Sequence, residues 1–220
     1  ITGGATGTVA ENADTSTVVY TAAASDPESG AVSYSLSGTD AASFSINSST
    51  GAVTLNASAN YEAKSSYSLS VIAADAASNT SSKAVTINVS NVNEAPTAAN
   101  FTSAGLDSTT AITGASVGTL AAVDPDAGDT HSFTLVAGNG ANDADNSKFT
   151  IAGSTLKVGG TALTAGTYHV MTRATDAGNL TVDQAQTIVI GSPNAAPVIT
   201  SGASGSVAEN AATSTVVYTA

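Results

Sequence analysis

The stretch Asn88-Val-Ser-Asn-Val-Asn-Glu-Ala-Pro96 decides how this chain is divided. Val85, Ile87 and Val89 lead into it with an apolar side chain at every second position, the period of a strand with one buried face. Asn91, Asn93 and Glu94 then crowd three oxygen-bearing side chains together, and Pro96 closes the run. Proline has no N–H and a fixed φ, so a sheet-interior strand cannot continue through it. About a hundred residues on, Ser192-Pro-Asn-Ala-Ala-Pro197 repeats this punctuation without a carboxylate. Both segments read as linkers between domains.

Working outward, the chain repeats itself. Residues 1–22 and 199–220 agree at 18 of 22 positions at an offset of 198. A more diverged repeat lies inside that unit. Ser25-Asp-Pro-Glu-Ser-Gly30 corresponds to Val123-Asp-Pro-Asp-Ala-Gly128, and Phe44-Ser-Ile46 to Phe149-Thr-Ile151. Ala74-Asp-Ala-Ala77 corresponds to Thr175-Asp-Ala-Gly178. The regular segments have period two. Val32, Tyr34 and Leu36 alternate with serines, as do Tyr67, Leu69, Val71 and Ala73. Phe133/Leu135, Leu156/Val158, Tyr168/Val170 and Ile188/Ile190 continue the pattern. Alternation with serine or threonine outward indicates half-buried antiparallel strands. Short strands separated by frequent Gly and Ser turns predict an all-β chain of tandem seven-stranded Greek-key β-sandwiches. The expected domains are residues 1–95 and 96–195, with 196–220 carrying the first two strands of a further repeat. Two strands cannot make a sandwich. The tail is therefore expected to belong to a longer protein, or to take the place of residues 1–22 in a neighbouring chain.

Composition narrows the function. Lys+Arg is 5 against Asp+Glu 17, a net charge of −12, and only 10% of residues are charged. A chain this poor in cations has no basic patch to neutralise phosphates, so nucleic acid is not an expected partner. An acidic excess repels itself unless cations neutralise part of it. There is no cysteine, so disulfides cannot supply rigidity. No apolar run reaches the roughly 18 residues of a membrane span. No Gly-x-Ser-x-Gly, phosphate loop or cysteine nucleophile is present, and no enzyme activity is expected.

Because acidic residues are scarce, their positions are informative. Asp26-Pro-Glu28, Asn60-Tyr-Glu62 and Asn93-Glu94 form tight oxygen-rich groups. An Asp-x-Asp/Glu spacing on an extended segment turns both side chains to one face. Ca²⁺ takes six to eight hard oxygens at about 2.3–2.6 Å. His131 and His169, the two histidines, lie in strand patterns with no cysteine or carboxylate at metal spacing, and read as surface or strand histidines. Asn142-Asp-Ala-Asp-Asn146 lacks the glycine and terminal glutamate of an EF-hand and reads as a polar surface loop.

In this order the motifs resemble tandem cadherin-like repeats of large bacterial RTX-type surface adhesins. Ala10-Glu11-Asn12 matches the x-Glu-x motif, Asp26-Pro-Glu28 the Asp-x-Asp motif and Asn60-Tyr-Glu62 the Asp-Tyr/Arg-Glu motif. Ala73-Ala-Asp75 matches Ala-x-Asp, and Asn91-Val-Asn-Glu-Ala-Pro96 the calcium linker. The resemblance implies Ca²⁺ between domains 1 and 2, held by Glu11, Glu62, Asn91, Asn93 through its carbonyl, Glu94, Asp124, Asp126 and Asp176. It implies that Asp26, Glu28 and Asp75 face a preceding repeat. Asn60 and Asn91 stand where the family has carboxylates, which lowers the expected affinity. Domain 2 has Leu163-Thr-Ala-Gly166 where Asp-Tyr-Glu should stand and no carboxylate in its exit linker, so the next junction is expected to be nearly metal-free. The implied function is a calcium-stiffened extender of an extracellular adhesin, secreted or held at the cell surface, whose partners are its neighbouring repeats. The alternatives are a direct adhesion module, homophilic or polysaccharide-binding, and a non-catalytic module of a secreted enzyme.

Overall fold

The computed structural model describes residues 1–200, 204–210, 212–214 and 216. The fold is all-β, with fourteen strands among the described residues. The first seven are β1 (Thr6–Ala10), β2 (Val18–Thr21), β3 (Ser33–Ser37), β4 (Phe44–Ile46), β5 (Ala52–Leu55), β6 (Ser66–Ala74) and β7 (Thr80–Ser90). They make two sheets, ordered β1-β7-β6-β3 and β2-β5-β4. Neighbours that are not consecutive, β3 beside β6 and β2 beside β5, are the crossings of a Greek key. The next seven are β8 (Ala98–Ser103), β9 (Ser116–Val123), β10 (Ser132–Leu135), β11 (Phe149–Ala152), β12 (Thr155–Val158), β13 (Gly166–Thr175) and β14 (Thr181–Ile190). Their sheets are ordered β10-β13-β14 and β11-β12-β9-β8. The expected fold class is the one observed.

Two compact units are distinguished: residues 1–100, 120–136 and 172–184, and residues 101–119, 137–171 and 185–220. The first holds the core predicted by the alternation. Tyr67 faces Ile87 and Leu69 faces Val85 across the β6–β7 pair. With Val71 and Val89 they meet Val9, Val19, Phe44, Val53 and Leu55 from the other strands in one apolar cluster. The serines between them lie outward or half-buried, which is why the strands read as alternating. In the second unit Val117, Leu156, Val158, Val170 and Ile188 are fully buried. Of the two strands expected in 196–220, the counterpart of β1 falls at 204–208, which carries no strand, and the counterpart of β2 falls mostly on 217–219, outside the described residues.

Strand β1 runs parallel to β7, pairing Val9 with Val89 and Ala10 with Ser90. Gly7 lets it fit: a Cβ there would press into the carbonyl oxygen of Val19 and reach within 2.7 Å of the Ile87 Cδ1. Gly51 turns the chain between β4 and β5 at φ +73, a left-handed conformation that favours glycine. The sequence reading passed over β8 and β9, whose apolar patterns are short and broken by glycine and threonine.

A local device appears twice. Asp40 precedes a single 3-10 turn (Ala41–Ser43), accepts the Ser68 N–H at 2.7 Å and pairs with Lys64. Lys64 lies 4.8 Å above the Tyr67 ring, and Tyr67 meets Phe44 edge to face at 5.2 Å. Asp145 precedes a second 3-10 turn (Asn146–Lys148), accepts the His169 N–H at 2.8 Å and pairs with Lys148 at 2.7 Å. Lys148 lies 4.8 Å above Tyr168, which meets Phe149 at 5.9 Å. Burial works to raise the Asp145 pKa, but the hydrogen bonds from Lys148 and the His169 N–H outweigh it and hold the carboxyl below its usual value.

Truncating the fully buried Ile87 removes core volume that the two sheets cannot close over. Ile87→Ala is expected to lower unfolding free energy by about 2–5 kcal/mol, read from urea or guanidinium denaturation. Because the Asp145 pKa is lowered on folding, its contribution is complete above the unfolded value of about 3.9 and is lost as pH falls through the folded value. Thermal melts below about pH 4 should therefore fall less steeply for Asp145→Asn than for the unmodified chain.

Candidate functional site

Strand β1 ends at Ala10, and the next residue turns its side chain inward. Glu11 is only 2% exposed. Its two carboxylate oxygens accept the Tyr61 N–H and the Val92 N–H, each at 2.8 Å. One side chain thus ties three segments together: the end of β1, the turn before β6, and the linker after β7. Glu62 and Glu94 bring their carboxylates to the same place. Oxygens of Glu11, Glu62 and Glu94 all lie within 4.8 Å of one another.

The linker is fixed on its other side as well. The Glu94 N–H donates to Asp126 at 2.7 Å, and the Asn93 amide donates to Asp176 at 2.9 Å. Asn12 donates to the Glu94 carboxylate at 2.7 Å. Asp176 is buried and also accepts the Leu180 N–H at 2.7 Å. Asp124 accepts the Asp126 N–H at 3.0 Å, so the Asp-Pro-Asp turn holds the Asp124 carboxylate itself, while the linker holds that of Asp126. Glu11, Glu62, Asn93, Glu94, Asp126 and Asp176 are therefore joined around the linker, with Asp124 beside them. Asn91 is exposed and stands outside these bonds. The Asn93 side chain engages Asp176 through its NH₂ group, a contact the sequence did not foretell.

The electrostatics are those of crowded acids. Burial pushes the Glu11 pKa up, but its hydrogen bonds to the Tyr61 and Val92 N–H groups and to Glu62 prevail, so it lies below the usual value. The Glu62 pKa goes the other way. Its own backbone N–H acts to lower it, but desolvation and the Glu11 and Glu94 carboxylates together raise it. No ion pair involving a lysine or arginine reaches the cluster among the described residues. Lys64, Lys148 and Arg173 are committed to Asp40, Asp145 and Asp183, and Lys83 to the Gly3 carbonyl.

At the far end of the first sandwich, Asp26 and Asp75 line a cavity of about 220 Å³ with Pro27, Asn79 and neighbouring residues. The bonding there parallels the linker end. Asp26 accepts the Glu28 N–H at 3.2 Å, and Asp75 accepts the Asn79 N–H at 2.8 Å. The polar loop around 142–146 is held by its own bonds, with Asp143 accepting the N–H groups of Gly138 and Gly140, each at 2.7 Å. His131 corrects the sequence reading. It has a carboxylate partner that the spacing did not show, since its Nε2 lies 2.7 Å from the Asp124 Oδ2, and it stands just before β10 rather than in it. The chain between them turns at Asp124–Gly128, and no fixed spacing in the sequence signals that return.

Residues 5–90 match the family model of the cadherin domain, a span that ends with β7. The fold is shared with cadherin ectodomains. Human protocadherin-24 EC1-2 superposes with a TM-score of 0.67 and 18% identity, covering 86% of this chain and 95% of that one. PcdhgB3 EC1-4 gives 0.66 and 23%, covering 86% and 48%. Mouse cadherin-23 EC22-24 gives 0.61 and 22%, covering 86% and 63%. The chain thus spans about half the length of the four-repeat fragment. At these identities the likeness concerns the fold. No curated protein sequence matches the chain. The first sandwich is thus similar to a cadherin domain.

Glu11→Ala would leave the Tyr61 and Val92 N–H groups without their carboxylate. The variant is expected to lose about 1–3 kcal/mol of stability even in metal-free buffer. Faster hydrogen exchange at Tyr61 and Val92 than at core amides of β6 would place that loss at this tie.

Proposed function

We propose that this chain is a pair of cadherin-like repeats, residues 1–95 and 96–195, followed at 196–220 by the start of a further one. They serve as calcium-stiffened extenders of an extracellular adhesin of the bacterial RTX-type surface class. The observation that carries this is the convergence of the Glu11, Glu62 and Glu94 oxygens within 4.8 Å beside Asp126 and Asp176, without a lysine or arginine ion pair among the described residues. Oxygens that share one ion at 2.3–2.6 Å stand no more than about 5 Å apart. The donor set is all oxygen and suits a hard cation. Residues 1–22 and 199–220 are nearly identical, which supports a unit that recurs along a longer protein.

Glu11, Glu62, Glu94, Asp124, Asp126 and Asp176, with carbonyl oxygens near Asn91 and Asn93, would hold the ion. When bound, Ca²⁺ supplies the positive charge that these carboxylates lack. The chain's own residues do the rest. Glu11 anchors the linker through the Val92 N–H, while Glu94 and Asn93 anchor it to Asp126 and Asp176. With the mutual repulsion relieved, those ties limit how far the linker can swing. No turnover is involved. Extracellular modules bind at about 10⁻⁴–10⁻³ M, so external but not cytosolic calcium would fill the site. Leu163 is buried in the second half of the chain where a carboxylate motif is expected, which supports a looser following junction.

Thermal melts in about 5 mM Ca²⁺ and in EDTA test this. A site of about 10⁻⁴ M would stabilise the chain by roughly 2 kcal/mol and raise its melting temperature by roughly 4–8 °C. Glu11→Gln combined with Glu62→Gln should abolish the difference. Coincident melts of the unmodified chain with and without calcium would reject the reading.

A further inference from the structure

We propose that Asp124, Asp129 and a ring nitrogen of His131 form a site for a first-row transition ion, with Zn²⁺ the ion it fits. The site lies outside the Glu11, Glu62 and Glu94 cluster. It shares Asp124 with the residues assigned above to calcium, but does not rest on that assignment.

One ligand atom from each of the three side chains lies within 4.8 Å of the other two. His131 Nε2 and Asp124 Oδ2 are already 2.7 Å apart. Both side chains are largely withdrawn from water, His131 13% and Asp124 5% exposed. Tetrahedral ligands at about 2.0–2.2 Å from zinc stand roughly 3.3 Å apart. The pair therefore needs to open only slightly to take an ion between its atoms.

The second observation is independent of that pair. Asp129 Oδ1 accepts the Thr130 N–H at 2.7 Å. Its Oδ2 is buried and has no hydrogen-bond partner among the described residues. A buried carboxylate oxygen without a donor is costly and uncommon. A cation beside it would satisfy it.

Local chain geometry explains the convergence. Gly128, at φ +91, turns the chain after the Asp124-Pro-Asp126 segment. Asp129 and His131, two residues apart on the approach to β10, can then share a face. The choice of metal follows from the nitrogen. Calcium and magnesium take oxygen ligands, whereas imidazole with carboxylates suits zinc and its neighbours. Two carboxylates and one imidazole leave a fourth position for water or another ligand. His169, the other histidine, donates its backbone N–H to Asp145 and, among the described residues, has no such group around its ring.

The test uses ZnCl₂ and EDTA-stripped protein, with calorimetry and imidazole NMR. One zinc should bind per chain, shifting the His131 ring signals and leaving those of His169 in place. His131→Gln and Asp129→Asn should each weaken zinc by at least about tenfold, the loss typical of even an outer partner of a metal ligand. Glu11→Gln with Glu62→Gln should keep zinc while losing calcium stabilisation, so this site and the calcium site can fail separately. A plain His131–Asp124 ion pair predicts otherwise. Zinc binding that leaves the His131 signals unmoved, or that survives His131→Gln unchanged, would overturn the proposal. The NMR arm uses the unmodified chain and holds even if a variant folds poorly.

Discussion

A single buried carboxylate holds the functional end of the first sandwich together. Glu11 accepts the N–H groups of Tyr61 and Val92, one on each oxygen. Both donors belong to irregular backbone, where no strand ladder could satisfy them. Burial alone would favour the neutral acid, but the two N–H donors and Glu62 keep Glu11 ionised below its usual range. The last residues of β1 then cannot move independently of the linker, because they share one side chain. The calcium site proposed above depends on that tie.

Around it the chain builds a region that is unfavourable by itself. Glu62 is raised by Glu11 and Glu94, and Asp126 bears on Glu11 in the same sense. Structural ion pairs elsewhere absorb Lys64, Lys148 and Arg173. Among the described residues, no lysine or arginine forms an ion pair with the cluster. On the function proposed above, an external cation would meet oxygens already brought together. The cost of gathering them is borne by the fold, through β1, the turn before β6 and the hydrogen-bonded linker.

The repeated Asp-Tyr-Lys device shows how the sandwich tolerates sequence drift. In both halves an aspartate accepts the N–H of a strand residue, and a lysine covers the tyrosine ring. The lysines differ in origin. Lys64 stands just before β6, whereas Lys148 lies in the 3-10 turn itself. The two positions do not correspond in sequence, yet the ammonium groups occupy equivalent places. What is preserved is the need to pair a partly buried aspartate and to shield an aromatic edge.

The period-two alternation of Tyr67, Leu69 and Val71 and of Val85, Ile87 and Val89 determined the strands and their buried faces. A one-residue shift would expose every one of these side chains. The resemblance of the ordered motifs to a known family implied Glu11, Glu62, Asn91, Asn93, Glu94, Asp124, Asp126 and Asp176 as a group, whereas short spacings such as Asp-Pro-Asp fix only local direction. Only the tertiary structure decided how they meet. That Glu11 faces inward, that Asn93 engages Asp176 through its amide and that His131 returns to Asp124 depend on contacts across long separations of chain or around a turn. Such contacts leave no periodic signature, because they are set by how the sheets and linker pack rather than by the spacing of residues along one strand.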